Sequence, residues 1–456
     1  MLTIKIAIMS LFTHIILFAF KKYENNRLFY QLAIASLIIL LLANMLEFSS
    51  VRDGLSIAIY KNLLRINKTI LGLQFFILFL SLFLIIIYRD YKFKPEFYLI
   101  LATNILSMIL VLHSNHWILF FVAWEIFNMS LYALIIGNNI DRQKALSASM
   151  KYFTLSALST ALLLLGLVMI YHSTGDLSFQ AVYSAMYFKR LGLPLMFIGF
   201  AFLFKLSAVP VHFWSPDLYS VTPLPITAFI SNIPKIFYFS VIIILLEELH
   251  IVANIYLFFG LASLIIGSIG LAQQKTVKRF LAFSAIINVG YILIVIQNPT
   301  MAIYNLALYI LPNINIFMIL IAMNNYFNKD DIDNIDELSG FFAKNPFMTL
   351  SFVVSIFSIA GIPPLPGFFA KYHLLVAVYK FLPYYMFLIV IITSVIAVAS
   401  YLRILYIALF SPIHNKYQIK IDDNIVLSTI IAFNFVVFGI ITYSDIISLL
   451  TFIVKA

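Results

Sequence analysis

The chain of 456 residues contains no cysteine. That excludes disulfides, thiol catalysis and thiolate-held iron–sulfur clusters within it. Charge is also scarce. Only 11% of residues are Asp, Glu, Lys or Arg, and 63% are hydrophobic; soluble domains carry about 25% charged residues. A phosphate loop, a dinucleotide fingerprint and a nucleophile elbow are all missing. The net charge of +10 is spread over short loops. It forms no basic domain that could hold a nucleic acid, and it reflects membrane orientation instead. The opening run MLTIKIAIMSLFTHIILFAFKK has the length of a span and no small-residue cleavage site. It is therefore expected to be a membrane helix and not a removed leader. These exclusions leave a polytopic, all-α membrane protein.

A span needs about 20 apolar residues to cross a ~30 Å hydrocarbon core. Fourteen segments qualify, at about 3–20, 28–47, 69–88, 97–113, 116–137, 150–172, 191–209, 222–246, 251–272, 279–297, 300–323, 346–369, 384–410 and 424–444. They form one polytopic domain, and no loop could fold as another. The polar stretch near 324–346 is expected to form a short surface helix. Odd-numbered loops carry the larger share of the basic residues, Lys21, Lys22, Arg27, Arg89, Lys92 and Lys94 among them. This places those loops on the cytoplasmic or matrix side, with both termini opposite.

Two stretches are too long for straight spans. Leu191 to Tyr219 contains Pro210 and Pro216, and Pro346 to Leu382 contains Gly361, Pro363, Pro364, Pro366 and Gly367. Proline removes a backbone donor and clashes with the preceding turn, so helices 7 and 12 are expected to break inside the membrane. Unwound backbone at that depth survives only within protein or beside water. Corresponding breaks in two halves mark transporters built from repeats. Spans 4–8 (residues 97–246) and 9–13 (residues 251–410) are read as two five-helix repeats, with 1–96 and 411–456 flanking them.

Lys205, Lys235 and Lys371 lie deep in apolar segments, as does Glu125. A charge at bilayer depth costs about 2.5–3.5 kcal/mol on insertion scales and usually marks an ion or proton route. Burial disfavours an ammonium, and a neighbouring carboxylate favours it. A separable Glu125–Lys205 pair would thus be an electrostatic proton switch needing no metal or cofactor. Bland readings stand beside these: a packing carboxyl for Glu125, a snorkelling amine for Lys235, a helix-end cap for Lys371. His212 and His373 flank the breaks and could relay protons, or could bond freed backbone. His14, His113, His116, His172, His250 and His414 read as interface or loop residues. Ser268, Ser284 and Asn288 could hold water or join helices.

The run from Lys205 to Lys235, KLSAVPVHFWSPDLYSVTPLPITAFISNIPK, resembles the signature of subunit N of proton-pumping NADH–quinone oxidoreductase, respiratory complex I. The mitochondrial counterpart is subunit 2. Further pieces are WEIFNMSLY from Trp124, KYFTLSALST from Lys151, KRFLAFSAIINVGY from Lys278 and AGIPPLPGFFAK from Ala360. The resemblance implies an antiporter-like fold of about fourteen transmembrane helices with two inverted five-helix repeats. It implies proton translocation through Glu125, Lys205, Lys235 and Lys371, with His212, His373 and Asn288 as possible relays. Many relatives carry histidine where this chain has Asn288, which bonds water but does not titrate. Electron transfer from NADH to quinone is implied elsewhere in the complex. NAD, FMN, iron–sulfur clusters and quinone then belong to other subunits, and neither cofactor nor metal to this chain. Expected partners are other membrane and peripheral subunits, antiporter-like ones included, together with lipids and protons. The expected location is the bacterial inner (plasma) membrane, the alternative the mitochondrial inner membrane. A multi-chain sodium/proton antiporter subunit of the same fold is the alternative function.

Overall fold

The computed structural model describes residues 2–19, 26–52, 56–88, 93–137, 142–186, 191–249, 253–327, 334–339, 346–381 and 383–411. Sixteen α-helices run through them: α1 (Leu2–Ala19), α2 (Asn26–Ser50), α3 (Lys68–Ile87), α4 (Pro95–His113), α5 (Trp117–Gly137), α6 (Arg142–Thr174), α7 (Phe179–Met186), α8 (Gly192–Lys205), α9 (Trp214–Val221), α10 (Leu224–Leu249), α11 (Ala253–Gln273), α12 (Val277–Ile294), α13 (Pro299–Phe327), α14 (Pro346–Ala360), α15 (Pro366–Phe381) and α16 (Tyr384–Phe410). Eleven of them are long and apolar enough to cross a membrane. The two expected broken spans appear as α8/α9 and α14/α15. The span expected at 424–444 lies outside the described residues.

Local chemistry sets many boundaries. Asn67 caps α3, its Oδ1 accepting from the Ile70 N–H at 2.8 Å, which satisfies a donor the helix cannot. Pro95, Pro299, Pro346 and Pro366 each open a helix, where the missing N–H costs nothing. Two loops carry local structure of their own. Strands β1 (Ile57–Ile59) and β2 (Leu64–Ile66) form an antiparallel hairpin in the loop after α2. Its turn holds Tyr60, Lys61 and Asn62 at φ of 52°, 54° and 66°. Most of the stretch near 324–346, where a surface helix is expected, lies outside the described residues (328–333 and 340–345); 334–339 hold a 3₁₀ turn, Ile335–Leu338. Ile335 and Leu338 are buried, and the Ile335 N–H bonds the Lys275 carbonyl at 3.0 Å.

The chain divides into two compact units. The first holds described residues 2–205 and 233–249, the second 206–232 and 253–411. In the first, α4 packs on α1 and α5, and α6 packs on α8. Gly166 permits the latter approach, since a Cβ there would lie 2.8 Å from Ile198 Cγ1 and 2.9 Å from the Pro194 carbonyl oxygen. Trp117, Trp124, Phe120 and Phe202 fill the middle. In the second unit α12 packs on α11, α9 and α13, and α14 packs on α13 and α16. Gly260 and Gly290 bring α11 and α12 together: a Cβ on Gly290 would stand 2.8 Å from the Gly260 carbonyl oxygen. Small residues at such seams let apolar helices gain van der Waals contact inside lipid.

Candidate functional site

The first unit presents Lys205 as the last residue of α8. The helix stops because Ser207 adopts a left-handed φ of 59° and Pro210 follows. Lys205 is 1% exposed. Its Nζ donates to Asn128 Oδ1 at 2.7 Å and to the Ser156 hydroxyl. That hydroxyl also accepts from the Tyr132 O–H. The rings of Tyr152 and Phe204 lie 5.5 and 5.9 Å from the amine. A buried ammonium is thus satisfied by neutral oxygens and aromatic faces.

Glu125 is half-buried on α5. The direct contact with Lys205 expected from sequence does not form. Asn128, one turn further along α5, stands between the two groups, its Nδ2 3.5 Å from Glu125 Oε1. The geometric reason is that Glu125 also borders an apolar groove on the outer side of α4 and α5, lined by Ile100, Thr103, Val122, Ile126 and Met129. Lys205 reaches α5 at Asn128, where the helix is buried. Lys235 belongs to the same unit and is 3% exposed. Its helix continues through Pro234, with Phe237 4.7 Å from Phe127 and Tyr238 5.3 Å from Trp124.

In the second unit, Lys371 sits in the second turn of α15 and its Nζ donates to the Ala360 carbonyl at 2.7 Å. Ala360 ends α14, so the amine meets the negative end of the half-helix across the break. This is the contact that the reading of Lys371 as a helix-end cap describes. Two glycines make room. Gly361 has φ +79°, and a Cβ there would meet Lys371 Cδ at 2.6 Å; a Cβ on Gly367 would strike the Ser358 carbonyl oxygen at 1.7 Å. Lys371 also lies 5.3 Å from the Tyr291 ring centroid. Along one face of α12, Ser284 bonds the Tyr401 O–H at 2.6 Å, and Asn288 Nδ2 donates to the Ser284 carbonyl at 2.8 Å.

His212 is 4% exposed, its ring 4.3 Å from that of Phe213 and 6.4 Å from that of Phe283. His373 is half-buried on α15. His113 corrects an expectation, being fully buried at the end of α4. Its Nδ1 lies 2.9 Å from the Arg65 carbonyl and its Nε2 2.7 Å from Gln74 Oε1. His14 is likewise buried. His250 and His414 lie outside the described residues.

Of the residues picked out by sequence reasoning, Glu125, Lys205 and Lys235 lie in the first unit and Lys371, His212, His373 and Asn288 in the second. That reasoning missed Asn128, Ser156, Tyr132 and Tyr401. Only Asn128 carried a signal, three residues after the glutamate in an apolar run and so on a neighbouring helical position.

Residues 114–397 match the family described as NADH:quinone oxidoreductase/Mrp antiporter, TM. NADH-quinone oxidoreductase subunit N of Pelagibacter ubique is 31% identical over 98% of this chain and 94% of that protein. Subunit N 1 of Rhizobium meliloti is 33% identical over 70% of this chain and 68% of its own length. The fold is that of a chain in respiratory complex I from Thermus thermophilus (TM-score 0.83, 22% identity, 98% of each chain). A chain of the Mrp complex from Dietzia has it too (TM-score 0.85, 18% identity, 100% of this chain and 96% of that one). The family match over residues 114–397 and the Pelagibacter alignment over 98% of the chain show that this chain belongs to the NADH-quinone oxidoreductase subunit N family.

Proposed function

We propose that this chain is the antiporter-like, proton-translocating membrane subunit of an NADH:quinone oxidoreductase in a bacterial inner membrane. The carrying observation is Lys205: a 1%-exposed amine at the end of a broken helix, held by neutral acceptors with a carboxylate one residue beyond. Such an amine changes protonation when its surroundings rearrange. Electron transfer elsewhere in the complex supplies the rearrangement. Glu125 biases Lys205, Lys235 passes the charge on, and Lys371 releases it, with His212, His373 and Asn288 as possible relays. The chain performs no redox step alone. NAD, FMN, iron–sulfur clusters and quinone are assigned to other subunits, and neither cofactor nor metal to this one. A neighbouring membrane subunit covers the groove beside Glu125, and lipid fills the rest.

The test is the assembled complex in proteoliposomes, fed NADH and quinone, with proton uptake followed by a pH dye. Lys205→Ala is expected to abolish or sharply reduce coupled pumping in complexes that still assemble. Unchanged pumping would sink the assignment. The likeness to the Mrp chain supports a second reading, a sodium/proton exchanger subunit. That reading wins if the purified assembly lacks flavin and iron–sulfur subunits and exchanges sodium for protons.

A further inference from the structure

We infer that Asn128 is a positioning residue that couples Glu125 to Lys205 through its carboxamide. The inference rests on the proposed function and deepens it.

The amide is oriented to match both charges. Its carbonyl oxygen faces the amine, 2.7 Å from Lys205 Nζ. Its NH₂ faces the carboxylate, 3.5 Å from Glu125 Oε1. The reverse orientation would set a donor against an ammonium and an acceptor against a carboxylate, so the two charges dictate the amide's orientation. Asn128 is fully buried, which leaves the dipole unscreened by bulk water. The other groups around Lys205 are the Ser156 hydroxyl, the Tyr152 ring and the Tyr132 hydroxyl, which reaches it through Ser156. Tyr238 of α10 lies beside Tyr152 and Tyr132. Glu125 is the acidic residue among them, and its path to the amine runs through the carboxamide.

The mechanism follows from the separation. A carboxylate in direct contact would hold the lysine charged and resist its release. With an amide between them, the Glu125 carboxylate polarises the carboxamide and strengthens the acceptor facing Lys205, and losing that contact slackens the acceptor. Lys205 therefore responds to Glu125 without being locked by it.

Three variants in the assembled complex test this, each measured for pumping per NADH oxidised across pH 6–10. Asn128→Asp places a second carboxylate directly on the amine, and is expected to move the alkaline limb of the pumping profile upward by about one pH unit. Asn128→Leu, close in volume, removes both bonds. It is expected to lower coupled pumping about tenfold and to erase the difference between Glu125 and Glu125→Gln backgrounds. Asn128→Gln restores the amide and is expected to recover part of the loss. Lys205→Ala, measured in parallel, separates the two claims. If it pumps normally, the proposed function fails. If it is inactive while Asn128→Leu keeps a wild-type profile, the function stands and the coupling role falls. Failure of all three Asn128 variants to assemble also overturns the role, since Asn128 would then serve folding.

Discussion

Lys205 and Lys371 both stand at breaks, yet their amines are satisfied differently. Lys205 reaches two side chains, Asn128 and Ser156, whereas Lys371 reaches the backbone of Ala360. Removing the second amine strands a carbonyl in a low-dielectric setting. Lys371→Met is expected to cost about 1–3 kcal/mol, read as a lower unfolding temperature in detergent, besides losing pumping. In the same unit Lys278 donates to the Thr222 carbonyl after α9 at 2.8 Å. Arg403 donates to those of Ala272, in the last turn of α11, and Gln274, just past it, at 2.8 and 2.5 Å. Cations at helix C-termini are therefore a recurrent device there, and Arg403 needs no transport role. Outside the membrane, Asp176 accepts from Ser178 Oγ at 2.7 Å. That bond first, then the Ser178 and Leu177 backbone amides, hold its carboxyl below its ordinary value of 3.8. A depressed carboxylate contributes stability that is complete above its unfolded value and is lost as pH falls through its folded one. The Trp117 amide, bonded to the Leu177 carbonyl at 3.0 Å, should thus lose hydrogen-exchange protection in that acid window. Ser178→Ala should move the loss to higher pH.

Helices in this chain are shaped less by propensity than by where backbone can be spared. Pro234 and Pro312 sit inside α10 and α13 without ending them. Beside those prolines, Asn313 Nδ2 donates to Asn232 Oδ1 at 2.8 Å, a polar tie next to two weakened turns. Pro210 and the Gly361–Pro364 stretch do end their helices, because a left-handed residue stands with each, Ser207 at φ 59° and Gly361 at φ 79°. Seams between helices are equally local. Gly290→Ala would press a methyl group 2.8 Å from the Gly260 carbonyl oxygen, and is expected to destabilise by about 1–3 kcal/mol. Gly137→Ala, which meets nothing within 4 Å, serves as the control and should leave unfolding unchanged or slightly raised. Equal melting of the two variants would refute close α11–α12 packing.

At the scale of the molecule, the absence of cysteine is useful. A single cysteine at Met129, 55% exposed beside Glu125, is then the one thiol of this chain, and its labelling is read on this subunit after the subunits are separated. Under the proposed function a lipid-soluble maleimide should react with it in the isolated chain and be blocked in the assembled complex. Equal labelling in both would mean that no subunit covers the groove. The same groove explains why Glu125 is only half-buried while Lys205 is sealed.

Composition alone determined the membrane class, because a chain 63% hydrophobic and 11% charged cannot present a soluble surface. Apolar run length set nearly every span, since bilayer thickness and helical rise leave little freedom. Prolines and glycines located both breaks, and isolated charges in apolar runs located Glu125, Lys205, Lys235 and Lys371. What the linear chain could not carry was adjacency. Residues 128 and 205, or 360 and 371, meet only when helices pack or break at particular angles, and neutral asparagine or serine in a span gives no sign of its neighbour. Glu125 and Lys205 looked like partners because opposite charges attract. Tertiary structure interposed Asn128 because the carboxylate borders the groove while the amine turns toward α6.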